Sequence, residues 1–72
     1  MITENAINII KETRLSKNIS QYKLAQITGI NRSTIKRYED LYIKNISFEH
    51  IIKMCEALEI DISTLLEAKT HS

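Results

Sequence analysis

At 72 residues and 8.4 kDa the chain has room for one domain, too small to enclose a substrate cavity together with a catalytic machine. Hydrophobic residues at 43% and charged residues at 26% describe a globular chain and exclude a disordered one. The net charge of +1 hides a split: residues 1–44 carry eight basic against four acidic side chains and residues 45–72 two against five, a pattern that suits a polyanion partner for the first part and equally suits uneven solvation.

In chain order, Thr3-Glu4 offers a hydroxyl cap and a first-turn acid, and Ile7, Ile10 and Arg14 follow at helical spacing with Ala6 beside them. Ile9 falls at the edge of that stripe, and Asn18 suits the left-handed stop. Ser20 caps a second helix of about two turns, which Thr28-Gly29 ends. Asn31 then caps a third, Arg32 to Glu39. Two short helices joined by a Gly-containing turn form the helix-turn-helix pattern. Leu41 to Ile46 reads as an ordered loop, because a lone strand has nothing to pair with. Ser47 caps a fourth helix with an apolar face of Phe48, Ile51, Met54, Cys55 and Leu58. Asp61 or Ser63 opens a short fifth helix bearing Leu65 and Leu66, and Lys69 to Ser72 is a tail expected to fray. The reading is an all-α domain of five helices spanning 1–72, with its core roughly over 5–66.

The stretch Gln21 to Tyr38 resembles the helix-turn-helix of the lambda-repressor and Cro-like (XRE-type) DNA-binding family. Gln21 begins the first motif helix, Ala25 fits the close crossing of the two helices, and Gly29 occupies the turn, where a positive φ costs a Cβ-bearing residue most. Ile30, Ile35 and Tyr38 fall at the family's buried positions. The resemblance extends over roughly 5–66 and implies a partnership between Arg14 and Glu39, which would explain a charge on an otherwise apolar face. Three positions depart from the pattern: Asp40-Leu41-Tyr42 and Glu59 stand where the family often has Gly, and Arg32 where it often has Gln.

Stepping around the third helix from Arg32 places Ile35 and Tyr38 on the inner side, Thr34 at the edge, and Arg32, Ser33, Lys36 and Arg37 on the outer arc. These four are the expected base-reading residues. Arg bonds guanine O6 and N7 in a bidentate way, Lys does so less rigidly, and Ser serves several bases. Gln21, Tyr22, Asn31, Lys44 and Asn45 are the expected phosphate contacts, Gln21 through a helix N-terminus and the others from the flanks. A polar arc on a helix is usually a solvated face; its place inside a matched helix-turn-helix is what directs it to DNA.

Other chemistry finds little support. A single Cys excludes an internal disulfide framework. Cys55 reads as a small buried hydrophobe, and His50 and His71, lacking spaced partners, as solvated side chains. No metal site, cofactor or catalytic residue is expected, since no nucleophile motif surrounds any Ser. No apolar run approaches the roughly 18 residues of a membrane span and no signal pattern opens the chain, so a cytoplasmic location is expected. The resulting expectation is a transcriptional regulator, a repressor binding operator DNA as a homodimer. Ile43, Ile52, Ile62 and Leu65-Leu66 either supply the symmetric contact or complete a thin core. The alternative is a protein-interaction module or antitoxin of the same fold, working through the acidic C-terminal part. Small size and the richness in Ile, Lys and Asn suit a prophage or mobile element in an AT-rich genome.

Overall fold

The computed structural model describes residues 4–41 and 46–65. Readings that fall on Thr3, Tyr42, Ile43, Lys44, Asn45, Leu66, His71 and the 69–72 tail lie outside the described residues. Four helices run α1 (Glu4–Ser16), α2 (Gln21–Thr28), α3 (Arg32–Glu39) and α4 (Phe48–Leu58). A fifth helical segment occupies 62–65, and the described residues contain no strand. The fold is all-α, and none of its described helices is long and apolar enough to cross a membrane.

Short helices need their ends satisfied, because the first four N–H and the last four C=O groups of each helix have no partner within it. Ser20 accepts from the Lys23 N–H, Asn31 from the Ser33 N–H, and Ser47 from the His50 N–H. Such caps are typically worth about 1 kcal/mol each. Asp61 does the same for the last segment: its carboxylate accepts from the backbone and the hydroxyl of Ser63. Those two bonds hold its carboxyl below the usual carboxylate range.

One apolar face from each helix meets in the centre. Ala6, Ile7 and Ile10 come from α1, Leu24 from α2, Ile35 and Tyr38 from α3, and Ile51, Met54, Cys55 and Leu58 from α4. Ile30 in the α2–α3 turn and Leu65 close the ends. Full burial of an Ile or Leu contributes about 1.5–3 kcal/mol, so this single cluster is what holds helices of two or three turns that would be marginal alone. Helix α4 packs on α1 and α2, and α3 packs on the same two.

Two expectations need correction. Phe48 does not join the core; it is 57% exposed, because it opens α4 and stands beyond the inward residues Ile51, Met54, Cys55 and Leu58. His50 is half-buried, with Nδ1 2.7 Å from the Tyr38 hydroxyl. Of the two readings left open for Leu65, contact or core, its full burial bears out the core.

The helix ends carry a recurrent backbone feature. Within two residues of the end of each helix the chain takes the left-handed conformation: Asn18 beyond α1 at φ 58°, Gly29 directly after α2 at 77°, Leu41 beyond α3 at 63° and Glu59 directly after α4 at 60°. The reversal lets the following N–H groups return to the last turn, as in Ile19 to the Arg14 carbonyl at 3.0 Å and Ile60 to the Cys55 carbonyl at 2.8 Å. Gly adopts this conformation without a Cβ penalty and Asn tolerates it, whereas Leu and Glu pay about 1–2 kcal/mol. Both departures from the Gly pattern thus sit on strained backbone. Glu59 recovers little, since its contact with Lys17 is long and exposed at 3.4 Å. Replacing Glu59→Gly is expected to stabilise the domain by about 0.5–1 kcal/mol, the relief exceeding glycine's extra unfolded-state entropy. In thermal melts that should raise the midpoint by about 2–8 °C; an unchanged or lowered midpoint would show that the strain is relieved by neighbours.

Candidate nucleic-acid interface

The motif is built from the turn outward. Gly29 donates its N–H to the Ala25 carbonyl at 2.9 Å and swings the chain out of α2. The Thr28 hydroxyl, buried beneath, donates to the Leu24 carbonyl at 2.7 Å and accepts from the Ile30 N–H at 3.2 Å. One side chain therefore ties the body of α2, through the Leu24 carbonyl one turn back, to a donor in the turn. Sequence reading missed this role, although Thr before Gly at a helix end is the signal that could have disclosed it. Nothing lies within 4 Å of where a Cβ on Gly29 would stand, so its requirement is one of backbone conformation alone. Ala25 is half-buried and packs against the core beside this turn.

Helix α3 is fixed at its inner side by charge as well as by packing. Arg14, at the end of α1, donates from Nε to Glu39 Oε2 and from a terminal nitrogen to Glu39 Oε1, both at 2.8 Å. Its second terminal nitrogen donates to the Ile19 carbonyl at 2.7 Å, and Gln21 donates to Glu39 Oε1 at 3.0 Å. Arg14 and Glu39 are each only 6% exposed. Two parallel N–H···O bonds make a directional clamp, which ties the last turn of α3 to α1 and to the first residue of α2. A second tie runs from Tyr38 to His50 across to α4, where the two rings lie 5.9 Å apart at 58°.

With Ile35, Tyr38 and Glu39 buried, the outer arc of α3 is Arg32, Ser33, Lys36 and Arg37, all exposed. Ser33 is held at the start of the arc, its hydroxyl donating to Asn31 Oδ1 at 2.7 Å. Lys36 reaches Asp40, with Nζ to Oδ2 at 2.7 Å. Tyr22 is exposed on α2 and accepts from Gln26 at 3.1 Å. Gln21 is half-buried and bonded inward, so its side-chain amide serves Glu39, while its position opens α2. Asn31 is exposed but already caps α3. Lys44 and Asn45 lie outside the described residues. The structure thus brings Arg32, Ser33, Lys36, Arg37 and Asn31 to one exposed helix, with Tyr22 on the preceding one.

A short helix presented outward from a tight turn, anchored from behind and basic along its outer arc, defines a helix-turn-helix nucleic-acid-binding domain. The comparison with known families agrees: the Cro/C1-type HTH DNA-binding domain matches residues 8–71, and the chain belongs to that family. Searches of curated proteins and of solved structures give no match.

Removing one partner of a buried pair leaves an uncompensated charge and costs about 3–5 kcal/mol. Glu39→Ala is therefore expected to unfold much of the population at 37 °C, given the small total stability of a domain this size. The paired change Arg14→Met with Glu39→Leu is expected to recover most of that loss. Urea melts of both variants check this; equal destabilisation by the single and double changes would show that the pair adds net stability of its own.

Proposed function

We propose that this protein is a sequence-specific transcriptional regulator, a repressor that occupies operator DNA through the major groove as a homodimer in the bacterial cytoplasm or nucleoid. The observation that carries the reading is the division of α3 into a buried side, Ile35, Tyr38 and Glu39, and an exposed side, Arg32, Ser33, Lys36 and Arg37. A major groove about 12 Å wide admits such a helix, and residues near its N-terminus go deepest. Arg32, Ser33 and Lys36 read base edges in this account. Arg37, further round, divides its time between bases and phosphate. Gln21 contributes through the N–H groups that open α2, with Tyr22, Asn31, Lys44 and Asn45 on the flanking phosphates.

A domain of this size covers one face of the duplex, so specific affinity calls for two copies on half-sites one helical turn apart. A surface for the second copy is available on α4 and the segment after it. Phe48, Ile52, Ile60 and Ile62 border a groove of about 280 Å³ floored by Cys55, whose thiol pKa is raised by burial. Among the described residues, an exposed Phe beside three half-buried Ile forms an apolar edge that suits such a contact. The same groove supports a second reading, with a protein partner rather than a second copy seated there, as an antitoxin-like module would use it. Glu56 on its rim favours a partner carrying basic residues.

The test is selection of bound duplexes from a random pool, run with the wild type and with Arg32→Ala/Lys36→Ala. The expected result is a palindromic consensus of two half-sites about 10 base pairs apart, lost in the double variant. A consensus without symmetry would remove the dimer. No enrichment by either protein at low salt would overturn the operator reading and leave the groove-bound protein partner as the working function.

A further inference from the structure

Two adjacent acids close helix α3, Glu39 as its last residue and Asp40 as its C-cap, and they meet different fates. Glu39 turns inward to Arg14, while Asp40 stays exposed. Stepping about 100° per residue from Arg32, Lys36 stands at about 40°, Asp40 at about 80°, Ser33 at about 100° and Arg37 at about 140°. The Asp40 carboxylate is thus in angle within the basic arc, one turn above Lys36, and bonded to it at 2.7 Å. Both side chains are open to solvent, 63% exposed for Lys36 and 35% for Asp40, so a groove that receives Lys36 receives the pair.

Helix stability does not account for an acid in this place. An acid at the C-terminal end opposes the helix dipole, Lys preceding Asp is the weaker order for an i, i+4 pair, and exposed pairs contribute little. The cap at this end is made by the backbone, through the Asp40 N–H to the Lys36 carbonyl at 2.9 Å, which any residue but Pro would supply.

We propose that Asp40 is a specificity-determining residue of the DNA interface, one that converts Lys36 from a phosphate-seeking charge into a base-reading donor. This rests on the DNA-binding reading given above. An ammonium has three N–H donors, so it can bond a carboxylate and a base edge at once. A charge-neutral Lys36–Asp40 pair releases no net counterion on entering the groove and so adds nothing to sequence-independent affinity. Its donors still count at a base edge, where Lys bonds guanine O6 or N7. The carboxylate also acts as the repulsive element, since it is disfavoured wherever a phosphate or a base acceptor faces it and satisfied where a cytosine or adenine amino group does. Affinity for random sequence is thereby held down while discrimination is kept.

The experiment measures the binding of Asp40→Asn to the selected operator and to a scrambled duplex over a series of salt concentrations. Glu12→Gln, an exposed acid on α1, serves as the control for net charge, and thermal melts confirm that both variants fold. Asp40→Asn should tighten binding to the scrambled duplex about five- to tenfold near 0.1 M salt and steepen the slope of log K against log salt by about 0.9. The operator-to-scrambled ratio should fall by a similar factor, with Glu12→Gln moving neither by more than about twofold. Equal gains on both duplexes, or a slope no steeper than that of Glu12→Gln, overturn the role of Asp40 while the DNA-binding reading stands. Failure of the wild type to select any operator overturns both.

Discussion

The buried pair of Arg14 and Glu39 is the constraint on which the rest of the domain turns. Helix α3 has eight residues, too few to hold a helical shape in water by itself, and only Ile35 and Tyr38 anchor it to the apolar core. Apolar contacts set distance but are not directional. The bidentate bond to Glu39, with Gln21 and the Ile19 carbonyl completing the set, fixes rotation about the helix axis as well. A base-edge contact fails if the donor is displaced by much more than about 0.5 Å. An ion pair that adds little net stability over an apolar substitute thus serves a purpose an apolar substitute does not.

The same network explains why α3 can be short at both ends. Asn31 starts it by capping the Ser33 N–H, and Leu41 ends it in a left-handed conformation that a branched apolar residue adopts at a cost. Glu39, one residue before the final cap, holds the last turn in place against that strain. Helix α2 meets its own end differently, through Gly29 and the Thr28 hydroxyl, with no strain to offset. Among the described helix ends, the turn between the motif helices is therefore the one where positive φ falls on Gly, and the end of α3 is held from behind by charge.

Much of this was legible in the sequence, for reasons that are local. Ser20, Asn31 and Ser47 announce helix starts because a short side-chain acceptor before an apolar-periodic run has few other uses. Gly29 announces the turn for the same kind of reason. The misreadings came where a partner is distant in sequence or where a stripe runs out. Periodicity identifies the inward face of α4 but not where packing stops, so Phe48, first in the helix, reads as core although it is exposed. His50 looks solitary because its partner, Tyr38, is 12 residues away on another helix. Leu65 stays open between core and contact in the sequence because nothing local shows that the end of the core needs a lid, and its burial decides for the core. Leu41 and Glu59 were visible as departures from a Gly pattern, and the structure gives the departure its physical meaning: both have positive φ.

Glu39 and Asp40 show how far residue type underdetermines role. In sequence they are two acids beside a basic arc, and either one argues against a polyanion partner. In the fold, a step of about 100° around the helix separates them. Glu39 is withdrawn from the surface and neutralised by Arg14, so it subtracts nothing from the field that the arc presents. Asp40 remains in that field and lowers it at one point, beside Lys36. The arc is consequently uneven: Arg32 and Arg37 take part in none of the described ion pairs, while Lys36 between them is paired with Asp40. Phosphate attraction concentrates where charge is unbalanced, and hydrogen-bond discrimination survives where it is balanced. In the operator-binding reading proposed above, Arg32 and Arg37 would add phosphate attraction to their base contacts, while Lys36 keeps its donors for a base edge at little gain in sequence-independent affinity.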